Sequence, residues 1–415
     1  MSEIIREMIP LPRVRPLEPI QLPPDSPGAQ PSFLLRDRAG LTNEQIVVSL
    51  PALYLIELAD GTRTLDQISK NMEEKTGLMV RENQVAALMS SLDERYLLDN
   101  SRARQKLQGV APRPAVHAGS GYPKERAELE SFLDDIVGES PDVAPPFPLA
   151  SILPHIDFFR GRDSYRAGYQ HLHGLAQTGQ GPVTIIILGI SHAFASTPFI
   201  LTRKDFDTPL GMVKTNTEIV DQLCQDIPFD PFRDEYNHLS EHSIEFHAVV
   251  LKRLMGKRPF QIVPILCCSF HEAILGGFRP LELAGVQQFL NNLETLKEQE
   301  HIHYLASVDL AHKGTQFGEK PLSREFLRQL KARDLESLQG VSNGKADEFF
   351  STHQADKGER NYCGTPAIYS LLHLFPQPFA VHKYQQCTDP DLSSTVTVCA
   401  ATLSGAARST LNEAS

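Results

Sequence analysis

Strand-length apolar runs in the second half of this chain repeatedly end in a residue that can hold a metal or a proton. The run 147–153 leads into Pro154-His155, Val183–Ile190 into Ser191-His192, and 303–308 into Asp309 and then His312. A further run, 260–266, ends in Cys267-Cys268. Segments with helical spacing lie between them. One is expected from near Asp163, with Tyr165, Tyr169, Leu172 and Leu175 on one face. Strands alternating with helices are the pattern of a layered α/β domain. In such sheets, ligands bind in the crevice outside the carboxyl ends of the strands. A lone strand-end histidine is more often a hydrogen-bonded surface residue. Three of them, with Asp309 three residues before His312, point to a shared site.

A cysteine joins this set on local grounds. Cys363 stands in Tyr362-Cys363-Gly364-Thr365-Pro366, where Thr-Pro starts a helix with Ile368, Leu371, Leu372 and Phe375 on its buried face. A cysteine at a helix N-terminus is expected to gain thiolate character, and a thiolate is a metal ligand or a nucleophile. Cys224, Cys267, Cys268 and Cys399 read instead as small core residues. The segment Glu241-His-Ser-Ile-Glu-Phe-His247 matches neither zinc-protease order, H-E-x-x-H or H-x-x-E-H. It reads as the start of a helix carrying Ile244, Val250, Leu251 and Leu254, with Glu241 and His242 near its mouth. His301 and His303 read as structural. No P-loop and no G-x-G-x-x-G motif supports nucleotide binding.

With 415 residues, two domains are expected. The formal net charge of -11 argues against a general nucleic-acid binder. No apolar run approaches the roughly 20 residues of a membrane helix, and the first residues mix acids and prolines where a signal peptide carries an apolar core. Six cysteines without framework spacing or a C-x-x-C pair fit a reducing compartment, so a cytoplasmic location is expected.

Residues 1–30 are proline-rich without apolar period and read as an extended arm, a linker or tail. Residues 31–100 form a compact unit by pattern. Short apolar runs at 33–35 and 46–48 flank a turn at Ala39-Gly40, and three helices follow. Ser49 caps the first, with Pro51 in its first turn and Leu53, Ile56 and Leu58 facing inward. Thr64 caps the second, which carries Leu65, Ile68 and Met72 and closes at Gly77. The third, at 82–95, carries Val85, Leu88, Met89 and Leu92. Three helices with short strands suggest a winged helix-turn-helix. Over 31–100 the chain has 7 Lys+Arg against 11 Asp+Glu, the wrong sign for a phosphate footprint. Residues 101–114, basic and ending in prolines, read as a linker. Residues 115–405 are the α/β domain, and 406–415 a tail.

The run LRDRAGLTNEQIVVSLPALYLIELADGTRTLDQI is similar to PqqD-like domains, which hold leader peptides by adding a strand. That resemblance implies a protein or peptide partner for residues 31–100; a domain that simply packs on its neighbour is the plainer alternative. The larger part resembles the Memo family, including AmmeMemoRadiSam system protein B. Ala118-Gly-Ser-Gly-Tyr-Pro123 looks like the family's A-G-x-x-Y-P, and Pro154-His155 like the start of P-H-A-G-Y. Leu188-Gly-Ile-Ser-His192 matches L-G-x-S-H, and Glu241-His-Ser-Ile-Glu245 matches E-H-S-x-E. Ser307-Val-Asp-Leu-Ala-His312 matches S-x-D-x-x-H, and Cys363-Gly364 matches C-G before a helix. The matches run in order over about 114–405.

This resemblance implies a fold shared with class III extradiol ring-cleaving dioxygenases. It also implies a cleft metal, iron or copper, held by His155, His192 and Cys363, with Asp309 and His312 lining the cleft as acid/base groups. The chain departs from the pattern twice. Asp157 stands where the family has a small residue, as an added ligand or a disturbance, and Ala193 replaces a second histidine. Three functions are open: a metal-dependent oxidoreductase acting on an unknown small molecule; a non-enzymatic metal- or peptide-binding adaptor in a peptide-modifying or radical-enzyme system; and thiol chemistry at Cys363 with His155 or His192 as base.

Overall fold

The computed structural model describes residues 10–24, 26 and 30–404. The expected tail, 406–415, and the first nine residues of the expected arm lie outside the described residues. The chain divides into two compact units, Met1–Ala111 and Pro112–Ser415.

In the first unit, strands β1 (Glu18–Gln21), β2 (Ser32–Arg36) and β3 (Ile46–Ser49) form an antiparallel sheet in that order. Helices α1 (Leu50–Leu58), α2 (Leu65–Thr76), α3 (Glu82–Glu94) and α4 (Ser101–Gly109) follow. Ser49 Oγ accepts the Ala52 N–H, Thr64 and Gln67 form a reciprocal capping box, and Gly77 ends α2 at φ +70°. The buried face of α1 is Leu55 and the expected Leu58, with the expected Ile56 partly buried against the same core; Leu53 is not among the residues packed there. This face meets Ile68, Met72, Val85, Met89 and Leu92.

Two expectations are corrected here. The proline-rich arm is packed at Leu11, Val14, Arg15 and Leu17 and forms a strand at residues 18–21. Buried Arg15 is paired with both Asp37 oxygens at 2.9 and 3.0 Å and donates to Tyr96 O. Residues 18–21 pair with β2, and Pro19 is tolerated because β1 is an edge strand. The expected linker is largely helix α4, capped by Asn100 and buried through Ala103 and Leu107. Two apolar positions among charged ones left no visible period.

The second unit is built on a nine-stranded mixed sheet. Its strands are β4 (Pro148–Leu153), β5 (Val183–Ile190), β6 (Phe199–Leu201), β7 (Lys214–Thr215), β8 (Phe260–Cys267), β9 (Ile302–Ser307), β10 (His312–Gly314), β11 (Ala380–Thr388) and β12 (Ser394–Ser404). The order is β10-β12-β4-β9-β5-β8-β6, with β11 on β12 and β7 on β8. The centre, β4-β9-β5-β8, is parallel. Helices cover both faces, which is why β5 is apolar apart from Thr184 rather than alternating. Its Val183, Ile185 and Ile187 face the core formed with α5 (Arg126–Val137), α6 (Phe158–Tyr169) and α7 (His242–Met255). Its Ile186, Leu188 and Ile190 face the core formed with α8 (Val286–Thr295), α9 (Arg324–Asn343) and α10 (Thr365–Leu374). Helix α6 begins at Phe158, earlier than the expected start near Asp163, because Asp157 caps it. Leu172 falls beyond its end at Tyr169, and Leu175 sits in the short helix Gly174–Gln177.

Candidate metal centre

The strand order brings the site together. Because β9 lies between β4 and β5, the residues just past these three parallel strands stand side by side: His155, Asp309 and His192. Cys363 arrives from the turn before α10, where Gly364 N donates to Asp309 O at 3.0 Å. Beneath it, the buried Asp334 carboxylate accepts from Arg360, Tyr362, Tyr384 and Thr397 at 2.7–3.2 Å, fixing the segment that leads into Cys363.

His155 is buried, and its Nδ1 lies 3.0 Å from Ser307 O. That contact directs Nε2 to Cys363 Sγ, 3.4 Å away. His192 is held from behind by Glu241: its backbone N–H donates to Oε2 at 3.0 Å, and its Nδ1 is 3.0 Å from Oε1. One ligand atom each from His155, His192 and Cys363 lie within 4.8 Å of one another. Metal–nitrogen and metal–sulfur bonds of about 2.0–2.3 Å suit donors at such separations. Histidine ligands whose second nitrogen is tied to a carbonyl or carboxylate are the usual arrangement around a metal. The donor set therefore fits a metal ion.

Asp309 and His312 differ in role. Asp309 Oδ1 accepts the N–H groups of His155 and Ile156 at 2.9 and 3.0 Å, and Oδ2 is 3.8 Å from His155 Nε2. Burial raises the Asp309 pKa against the pull of His312 and those two backbone donors. His312 Nδ1 is bound by Leu310 O and Asn361 O at 3.0 and 3.1 Å, and burial lowers its pKa. Asp157 does not join the cluster. Its Oδ1 caps α6 through Arg160 N, and its Oδ2 pairs with Arg160 Nε at 2.6 Å.

Exclusion from water pushes the Cys363 thiol up, against the opposing contact with His192. Burial, followed by the charges of His192 and His242, pushes His155 well below the ordinary histidine value. Burial would lower His192 too, but Glu241 and Cys363 outweigh it and raise this imidazole well above its usual range. Burial opposes ionisation of Glu241, yet its two histidine partners hold it well below the usual carboxylate value.

Sequence reasoning passed over Glu241 and His242 as site residues. Glu241 caps α7 through His242 N and Ser243 N at 2.9 and 3.1 Å while gripping His192. His242 stacks on His192 with ring centroids 4.9 Å apart. The E-H-S-x-E match was the available signal. Its second acid, Glu245, is buried and takes Arg113 Nη1, His117 N and Tyr122 OH, so it pins the A-G-x-x-Y-P segment onto α7. Cys267, Cys268 and Cys399 are buried core residues, and half-buried Cys224 donates to Val220 O. Buried His303 binds Ser151 Oγ and Pro148 O, as a structural histidine should.

Fold and site together define a layered α/β protein with a two-histidine, one-cysteine cluster at the carboxyl edge of its sheet. Residues 113–404 match the family model described as "Memo-like protein", and the chain belongs to the Memo family. It is 28% identical over 350 residues to a MEMO1 family protein of Aquifex aeolicus, covering 82% of this chain and 87% of that one. That share exceeds the stretch from residue 113 to Ser415, so the similarity reaches back into the first unit. A MEMO1 family protein of Thermus thermophilus is 25% identical, with 75% and 90% covered. The Protein memo-1 homolog of Caenorhabditis elegans is also 25% identical, with 64% and 71% covered.

Proposed function

We propose that the second unit binds one redox-active metal ion, iron or copper, between His155, His192 and Cys363, and acts as a non-haem, dioxygenase-like oxidoreductase. The observation that carries this reading is the convergence of the three donors, with both histidines anchored at Nδ1. A metal held there supplies a centre where an organic ligand and oxygen can meet and exchange electrons. The chain's residues do the rest. Ser307 and Glu241 orient the imidazoles, Asp309 fixes the His155 turn, and Asp309 and His312 carry protons at the cleft wall. All six cysteines are free, in keeping with a cytoplasmic protein, and no helix among the described residues is long and apolar enough to cross a membrane.

The test is metal content of untagged protein purified anaerobically, wild type beside His192→Ala. Near-stoichiometric iron or copper, lost in the variant, supports the reading and justifies screening catechol-like substrates. Absence of metal after reconstitution sinks it.

A second reading concerns residues 31–100 as a PqqD-like winged-helix domain that docks a peptide or protein partner. It is favoured by β3, which lies at the sheet edge with β2 as its one strand partner among the described residues, and by its exposed Val47. Val47→Lys in the full chain should abolish capture of a peptide partner by strand addition. Equal capture by wild type and variant counts against it.

A further inference from the structure

Cys363 ends a short segment, Arg360-Asn361-Tyr362-Cys363, that belongs to no helix or strand. One carboxylate holds it. Asp334, fully buried on α9, accepts Tyr362 OH at 2.7 Å and Arg360 Nη1 at 3.2 Å, both on Oδ1. Asn361, between these two anchors, has φ +52°. A residue with a side chain keeps that left-handed conformation only where its surroundings fix it. The other carboxylate oxygen is tied to the sheet. Oδ2 accepts Thr397 Oγ1 from β12 at 2.7 Å and Tyr384 OH from β11 at 2.9 Å. Thr397 in turn holds the loop between Asp309 and His312. Leu310 N donates to its carbonyl at 2.7 Å, and Ala311 N to its hydroxyl at 2.9 Å. Cys363 Sγ touches that same loop at Asp309 O, 3.4 Å away. Asp334 thus carries the sulfur segment on one oxygen. On the other it carries the residue that fixes the loop beside the sulfur.

We propose that Asp334 is a positioning residue for the metal centre, and that Tyr362 is the arm through which it sets the place of Cys363 Sγ. The inference rests on the metal reading given above and concerns the one donor of the three that comes from a turn. His155 and His192 are each oriented by an oxygen at the second ring nitrogen. A cysteine has a single donor atom, so its direction is set by the backbone that carries it. Designed and natural ligands must be held within about 0.5 Å of their productive place. Hydrogen bonds to an ionised carboxylate are stronger than neutral ones, which suits Asp334 to that task. Tyr384 supplies the comparison. It makes the same kind of bond to the same carboxylate, but from β11, whereas Tyr362 is joined covalently to Cys363.

The experiment titrates the full chain with cobalt(II) under anaerobic conditions. A thiolate bound to cobalt gives a sulfur-to-metal charge-transfer band in the near ultraviolet, and Cys363→Ser identifies it. Tyr362→Phe keeps its ring against His353, where the centroids are 4.5 Å apart, and loses only the hydroxyl. It should bind cobalt roughly 10–100-fold more weakly, as loss of an orienting partner does, with the band weakened and shifted. Tyr384→Phe should lower the urea midpoint as much as Tyr362→Phe, since each loses one hydrogen bond to the carboxylate. It should nevertheless keep the wild-type cobalt affinity and band. Asp334→Ala should lose the band; if that chain does not fold, the two tyrosine variants carry the test. A wild-type band and affinity in Tyr362→Phe, or in folded Asp334→Ala, overturn the proposal and leave the metal reading intact. Equal losses of cobalt affinity in both tyrosine variants also overturn it, by reducing Asp334 to a general brace. A wild-type chain that takes up no cobalt, or whose spectrum is unchanged in Cys363→Ser, overturns the metal reading and this inference together.

Discussion

Asp309 accepts the backbone N–H of His155 at 2.9 Å, and the same oxygen takes the N–H of Ile156. The end of one strand is thereby fastened to the end of its neighbour by a side chain, in the turn that aims the first histidine. Removing the carboxylate strands two buried donors. Asp309→Ala is expected to lose about 2–6 kcal/mol of stability, from roughly 1–3 for each unsatisfied group. Asp309→Asn, which can still present an oxygen, should lose less than half of that. Urea denaturation of both variants checks the ranking; equal losses would mean that the two hydrogen bonds do not matter.

Cys363 can reach His155 only because the next residue has no side chain. A Cβ on Gly364 would sit 2.7 Å from Asp309 O and 2.7 Å from Val308 Cβ, both on packed structure. Gly364→Ala should therefore push the cysteine turn off the sheet, costing about 1–3 kcal/mol and weakening metal binding more than tenfold. Chelator competition measures the second effect. Unchanged affinity would show that the turn relaxes without moving the thiol.

Asp157 was the candidate extra ligand, and its contacts place it in a helix cap instead. Asp157→Ala is expected to cost about 0.5–2 kcal/mol, the ordinary price of a lost N-cap, with metal affinity within about threefold of the wild type. A larger fall in metal affinity would return Asp157 to the coordination set.

Buried neutral histidines should make the second unit acid-sensitive. Burial pushes His238 and His247 down to about 3 and His303 to about 4, from an ordinary value of 6.5. Each folded-state pKa lies below the unfolded one, so between them the unfolded chain binds more protons and stability rises with pH. The contribution is complete above about 6.5 and is lost as the pH falls toward 4 and then 3. Urea midpoints should drop steeply between pH 7 and pH 5. His303→Asn should flatten that slope by up to roughly 1 kcal/mol per pH unit, and an identical slope in the variant would contradict the assignment.

The chain's local chemistry wrote much of this structure openly. Ser49, Thr64 and Gly77 mark helix ends because caps depend on neighbours a few residues away, and all three do so in the fold. The apolar runs at β4, β5, β8 and β9 announce buried parallel strands for the same local reason. His155, His192 and Cys363 could be picked out because each follows or precedes such an element. Other features depended on partners distant in the chain. Arg15 made a packed element out of a proline-rich stretch by finding Asp37, and α4 formed in a stretch whose charges hid two buried positions.

At the site, the residue types and their places at strand ends were fixed by the sequence. Their meeting was decided by strand order, because inserting β9 between β4 and β5 sets Asp309 between the two histidines. Tertiary structure alone paired Glu241 with His192 across 49 residues of chain, beside its sequence neighbour His242. It also turned Asp157 away into a cap and raised the Cys363 pKa by burial. Spacing along a chain records which groups are available, whereas orientation and desolvation depend on what packs against them.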